Sequence, residues 1–421
     1  MVFPWYLFGV LFVLPFVDPR RPFRLLHLDL LALLAIGVGP LYAYLTFGQP
    51  SGSLGLIVLG LTYLAGRLVY TGWRPPERDQ PLVPLLSLAW LLVLLALVVG
   101  FRFGYVLADR EEVRDVGLVS VLGADRIGKG TDLYDARLDR ELPHPDTYGP
   151  ANYLLYVPFE QALPWDGAPP GTPGYGEGPV AGRVAAIGFD LLVLGGLFLL
   201  GRRLRAGPEG KLLGVALAYA WASYPYSVFV LRFSFNDTLV ALMVLAAVLA
   251  MPSAAPRGAL AALAAATKFG PAILAPILAA GTGERRLRPW LVFGASFAVV
   301  TVALFLPFVP DGGLAEVYDR TLGYQQGRDG WNTIWARFPE LGGLQVVAQI
   351  GVVGLAFLLA VVPRHRTLLQ AVALAAGVLV AMQLSMTYWF SAYALWFAPL
   401  AFAALFAPYA AKGAQAARMR G

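Results

Sequence analysis

"VPLLSLAWLLVLLALVVGFRFGYVLADREEVRDVGLVSVLGADR", residues 83–126, passes from an unbroken apolar run into a segment crowded with acid. The run 83–107 has the length a bilayer demands of a spanning helix, roughly 17 to 25 residues. The polar segment after it extends to residue 178, and between Ala108 and Gly178 it holds 13 of the chain's 26 Asp and Glu residues. Lys and Arg follow the opposite pattern: 18 of 32 lie in short segments on the other side of the apolar runs, with only 5 acids beside them. By the positive-inside rule those short segments are cytoplasmic, and the acidic segment is an external loop. A large carboxylate-rich loop on the outer face is a place for chemistry.

Further apolar spans recur at 25–47, 52–70, 179–200, 211–232, 290–309, 342–362, 367–387 and 389–407, with shorter ones at 1–17 and 236–251. Between Arg257 and Gly283 two half-length runs are broken at "TKFGP". Basic residues at both ends make this piece a hairpin of short helices that enters and returns. The expected architecture is an all-α polytopic integral membrane protein of about 13 crossings, N-terminus outside and C-terminus inside. Its two large external loops are 108–178 and 310–341. In the first loop "ANYLLYVPFEQALPW" is too short to span and is expected as an interfacial or re-entrant helix, followed by a Pro- and Gly-rich connector. The organisation expected is a three-helix addition at 1–82, a membrane domain at 83–407 and a basic cytoplasmic tail at 408–421.

Composition agrees: 421 residues, 58% hydrophobic, and a mean hydropathy of +0.64 describe a membrane protein rather than an anchored globule. The net charge of +6 serves topology and contact with membrane lipid, and gives no reason to expect nucleic acid. With no cysteine, disulfides, thiol catalysis and Cys-ligated metal centres are excluded. His27, His144 and His365 are scattered, which argues against a His-based metal site. The Ala, Leu, Gly and Arg bias points to a bacterial plasma membrane. The first apolar run lacks the flanks of a cleavable signal peptide, and its abrupt start leaves open a fragment or a misassigned start.

Eight ionisable residues fall inside apolar spans: Asp29, Arg67, Arg102, Arg183, Asp190, Arg232, Asp237 and Lys268. Each costs at least ~2.5 kcal/mol at a helix centre unless paired, wet or near an interface. Asp29 and Arg67 are expected as a structural ion pair, and Asp190 as a helix-to-helix pairing group. Arg102, Arg183, Arg232, Asp237 and Lys268 lie near outer ends. There they form either a cationic rim for a phosphate-bearing lipid or a set of snorkelling side chains. Lys268 is the best of these, since it sits at a helix break. Asn236 is expected as an N-cap and Asp237 as a first-turn acid.

The motifs "GADRI" (123–127), "DTYGPANY" (146–153), "NDTLVALMVLAA" (236–247) and "TKFGPAILAP" (267–276), with Asp115 a few residues beyond a span, resemble the GT-C superfamily of glycosyltransferases. The closer similarity is to glycosyltransferase family 87, the polyprenol-phosphate-mannose-dependent type, over about 83–407. The resemblance implies transfer of a mannose or another hexose or pentose from a polyprenyl-phosphate carrier to a lipid or glycan hydroxyl on the outer face, by inversion. No metal and no cofactor are implied. It places Asp115 as the base, with Asp125 in reserve, and Arg126, Tyr148, Asn236 and Asp237 around the substrate.

The chemistry stands beside the name. A lipid-phosphate sugar carries its own leaving group, so the enzyme needs a carboxylate to deprotonate the acceptor and cations to receive the departing phosphate. In the second loop "EVYDRTLGYQQGRDGWNTIWARF" offers Arg320, Arg328, Tyr324 and Gln325 with Trp331 and Trp335, cations for phosphate and rings for a sugar or prenyl chain. An interfacial aromatic helix explains the same residues equally well. Tyr388, Trp389, Tyr393 and Trp396 are expected as an aromatic belt, and Asp146 shapes a turn or touches substrate. The chief rival is a transporter or flippase of lipid-linked sugars, which favours two related halves and short loops. A non-catalytic scaffold explains the loops but not the buried Lys268.

Overall fold

A computed structural model describes residues 3–37, 54–76, 78–108, 113, 115–134, 146–165, 178–282 and 287–410. His144, the connector at 166–177, the end of the second expected span beyond residue 37 and the basic tail from 411 lie outside the described residues. In chain order the helices begin with α1 (Phe3–Val13), α2 (Leu25–Ala35) and α3 (Leu54–Trp73), then strand β1 (Arg78–Pro81) and α4 (Leu88–Ala108). The first loop contributes α5 (Asp115–Lys129), α6 (Pro150–Leu154) and α7 (Val157–Ala162). Then come α8 (Val180–Leu204), α9 (Gly207–Ser223), α10 (Pro225–Arg232), α11 (Asp237–Leu249), α12 (Ala254–Thr267), α13 (Ala275–Ala280) and α14 (Leu287–Phe305). The second loop carries α15 (Gly313–Tyr318), α16 (Tyr324–Gly327) and α17 (Ile334–Arg337). Helices α18 (Gly342–Val361), α19 (Leu368–Ser385) and α20 (Ala394–Phe406) and strand β2 (Tyr409–Ala410) close the described part.

Among the described residues six helices are long and apolar enough to cross a membrane, and seven if the pair α9–α10 is one span bent by 55°. The bend has a local cause. Tyr224 precedes Pro225 and adopts an extended ψ of 122°, as a residue before proline does, and the proline has no N–H to continue the helix. Shorter apolar helices, of 10–17 residues, cover 5–16, 25–35, 237–249, 270–280 and 391–406. The expected total of about 13 crossings counts these short helices as spans, together with α12.

The N-terminal helices share one hydrophobic core with the C-terminal ones: α3 packs along α19 more extensively than any other helix pair meets. Strand β1 pairs in parallel with β2, a departure from an all-helical chain. Arg24 bridges the two strands, donating to the Pro81 carbonyl at 2.6 Å and stacking over Tyr409.

Buried ion pairs form inside the bundle. Asp29 and Arg67 form the expected ion pair at 3.1 Å, with the Tyr63 hydroxyl donating to Asp29 and Arg67 donating to Thr71. Arg102 is fully buried and does not join any rim. It pairs with Asp190 at 2.8 Å, and the Trp221 indole N–H donates to the same carboxylate oxygen. Arg102 also donates to the Ala222 carbonyl, left open at the end of α9. A guanidinium has enough donors to serve both, which is why it is drawn inward rather than out to the interface.

Candidate active site

Four broken or strained segments meet on the side of the bundle that carries the two loops. Helix α12 stops at Thr267 because Gly270–Pro271 lies ahead. Lys268 is left in an extended conformation (φ −141°, ψ 138°) before a 3-10 turn begins. Asp237 opens α11 just after the turn at Ser234, a non-glycine residue at φ 57°. The two side chains meet as a buried ion pair of 2.8 Å, and the Trp396 indole N–H donates to the same Asp237 oxygen at 2.7 Å. The rings of Tyr148, Tyr393 and Trp396 stand 5.4, 5.5 and 5.5 Å from the Lys268 ammonium. Such faces attract a cation, here one already held by a carboxylate.

Asp115 begins α5 at φ 49°, a left-handed conformation that an aspartate tolerates better than most residues but still adopts at a cost. Its carboxylate accepts the Val116 N–H. The side chain is open to solvent, yet burial raises its pKa above the usual carboxylate value. The nearby cations Lys268 and Arg328 pull it down, and Asp237 pushes it up. The group is thus open to solvent on one side and closely surrounded by protein on the others. Local accessibility decides what can reach it; the surrounding protein decides its proton affinity.

Arg328 enters from the second loop. Its guanidinium lies 3.7 Å over the Tyr388 ring and, unlike Lys268, has no carboxylate or hydrogen-bond partner among the described residues. The loop that carries it is fastened at its far end. Trp331 N–H donates to the Thr387 carbonyl and Trp389 N–H to the Trp331 carbonyl, while the Trp335 indole donates to Leu384. Tyr324 lies close enough to Tyr388 and Arg328 to act on both electrostatically. Gln325 is half-buried beside it.

The aromatic belt expected at 388–396 is not what these residues form. Trp389 is buried with its indole N–H on Gln383, Tyr393 and Trp396 line the Lys268 side chain, and Tyr388 carries Arg328. The reason is the break between α19 and α20, which turns 386–393 back toward the loops. Asn236 occupies the N-cap position of α11, but no side-chain cap bond forms. Its amide donates instead to Asn152 at 2.8 Å.

The remaining expected residues are placed elsewhere. Asp125 lies ten residues along α5 from Asp115, about 15 Å at the helical rise, and is engaged by Lys129 at 2.7 Å. Its other charged neighbour is Glu160, whose carboxyl is raised by burial and by Asp125. Arg126 is beside it, donating to the Asp132 carbonyl. Arg320, on a π-turn at Asp319–Gly323, meets Asp146 at 3.4 Å. Asp146 is almost fully buried. Its part in the structure is thus to join the first loop to the second. The site therefore gathers Asp115, Asp237, Lys268, Arg328 and Tyr148 with Tyr388, Tyr393 and Trp396, and leaves Asp125 and Arg126 on a separate face. Among the described residues no group of three His, Asp or Glu side chains is arranged to hold a metal.

No family model matches this sequence, and no curated protein matches it.

Proposed function

We propose that the chain is an inverting membrane glycosyltransferase of GT-C type, using a polyprenyl-phosphate sugar donor and a lipid or glycan hydroxyl acceptor on the extracytoplasmic face. One observation carries the reading. An accessible carboxylate, Asp115, lies in the field of two cations, Lys268 and Arg328, and forms an ion pair with neither. A carboxylate and cations set around one space, rather than neutralising one another, suit a reaction that needs both a base and a receiver of negative charge.

In this reading the acceptor hydroxyl loses its proton to Asp115 as its oxygen attacks the anomeric carbon. The bond from that carbon to the phosphate oxygen breaks, and the electron pair leaves with the polyprenyl phosphate. The raised proton affinity of Asp115 suits a general base working near neutral pH. Arg328, stacked on Tyr388 and without a hydrogen-bond partner among the described residues, is suited to forked bonds with phosphate oxygens. Lys268 has a narrower role than a free ammonium: held by Asp237, it contributes a fixed positive field, preorganised before charge develops. The orientation that puts both loops outside, with about 13 crossings, follows from the distribution of Lys and Arg.

The test is transfer by purified protein in lipid. Polyprenyl phosphate mannose or another polyprenyl phosphate hexose is offered beside the matching nucleotide sugar. Labelled product from the lipid donor supports the reading. Transfer from the nucleotide sugar alone rejects it, and vectorial movement of the lipid donor without transfer establishes the transporter instead.

A further inference from the structure

Asn152 lies in the "DTYGPANY" motif, is fully buried and touches neither Asp115 nor Lys268 through any hydrogen bond. It stands at the middle of a chain of side-chain bonds that links α5, which carries Asp115, to the start of α11, which carries Asp237. The Val116 carbonyl, next to Asp115, can only accept, and it takes the Ser120 hydroxyl at 2.6 Å. With its proton committed, the Ser120 oxygen accepts from the Asn152 amide nitrogen at 2.9 Å. The Asn152 carbonyl oxygen is thereby left to accept the Asn236 amide at 2.8 Å, and Asn236 adjoins Asp237, the partner of Lys268. Every donor and acceptor assignment follows from the Val116 carbonyl at one end, so the amide orientation of Asn152 is fixed by the chain itself.

The chain adds directional bonds to a helix that is already closely packed, with Val116, Val119, Val121 and Ala124 of α5 all buried. Gly117 lies so close to the Ser234 carbonyl that a Cβ there would meet it at 2.3 Å. Gly123 is similarly filled by the Tyr153 ring. Close packing sets the distance between the elements, and the hydrogen bonds add a directional restraint on the angle at which α5 presents Asp115.

We propose that Asn152 is a positioning residue, fixing the rotation of α5 so that the Asp115 carboxylate faces Lys268 and Arg328. This rests on the reading of Asp115 as the base. The experiment is a double-substitution cycle in the full-length protein, measuring transfer from a polyprenyl phosphate hexose with Asn152→Leu, Asp115→Asn and both. Asn152→Leu keeps the branched shape and the heavy-atom count and removes both bonds. It is expected to lower kcat by about 10- to 100-fold, the scale of a displacement near 1 Å, with the donor KM within about twofold of wild type. In the Asp115→Asn background it is expected to add less than about twofold, because a residue acting through Asp115 has nothing left to position. Ser120→Ala cuts the same chain from the other side and is expected to reproduce the split if Asn152→Leu fails to fold. Effects of Asn152→Leu and Asp115→Asn that multiply, or a loss carried by KM, overturn the positioning role while leaving Asp115 as base. Wild-type protein without transfer activity, or an Asp115→Asn variant with full activity, overturns both.

Discussion

Lys268 and Asp237 are 2.8 Å apart and both buried, one at the break between two short helices and the other at the first turn of a third. Breaking such a pair leaves a lone charge away from water, at about 3–5 kcal/mol. Lys268→Gln is therefore expected to lower thermal stability in detergent sharply. Lys268→Gln combined with Asp237→Asn is expected to recover most of that loss, since neither charge remains. Equal melting of Lys268→Gln and wild type contradicts the pairing.

Arg328 makes the complementary case. Its guanidinium is stacked on Tyr388 without a carboxylate partner among the described residues, so folding is expected to depend little on its charge. Arg328→Gln is expected to leave the melting temperature unchanged and to raise the donor KM about tenfold, or about 1.4 kcal/mol. Arg328→Lys keeps the charge but not the flat fork, and should fall between. A large loss of stability in Arg328→Gln places it among the structural cations instead.

For Asp115 the sign of the pH dependence follows from burial. A carboxyl whose pKa is raised by folding contributes its full stability below the ordinary carboxylate pKa and loses it as pH rises through the raised value. Above the raised value the ionised group is therefore a cost. Asp115→Asn removes that cost and tolerates φ 49°, so it is expected to melt no lower than wild type while turnover falls about 100-fold or more. In wild type, turnover should fall as pH drops through the raised pKa. Since Arg328 pulls that pKa down, Arg328→Gln should move the acidic limb of the pH–rate profile upward. A limb that stays put separates Asp115 from Arg328.

The orientation is open to direct test because the chain has no cysteine. Single cysteines at Gly327, exposed in the second loop, and at Ala206, exposed between α8 and α9, lie on opposite sides in the proposed topology. An impermeant thiol reagent added to intact cells should label Gly327→Cys and spare Ala206→Cys. The reverse pattern puts both loops in the cytoplasm and removes the case for a lipid-linked donor on the outer face.

Much of this protein was written along the chain. The long apolar runs set six membrane-length helices, since in hydrocarbon a backbone must satisfy its own hydrogen bonds. The break at "TKFGP" was visible because Gly270 and Pro271 cannot continue a helix, and the charges at Asp29 and Arg67 announced a pair because neither is tolerated alone. What the chain could not say is which charge meets which. Arg102 and Lys268 are each a single cation near the outer end of an apolar run. Yet the first is sunk against Asp190 and the second joins Asp237, 31 residues away in sequence. Asp115 and Asp125 are both acids of one amphipathic helix, and only packing against α11, α12 and the second loop gives the first a cationic field and the second a solvated Lys129. Tyr393 and Trp396 looked like a membrane belt because composition and depth are the same for a belt and for a site wall. Composition and periodicity act along the sequence and fix the helices; electrostatic partnership acts across space and was decided by how those helices pack.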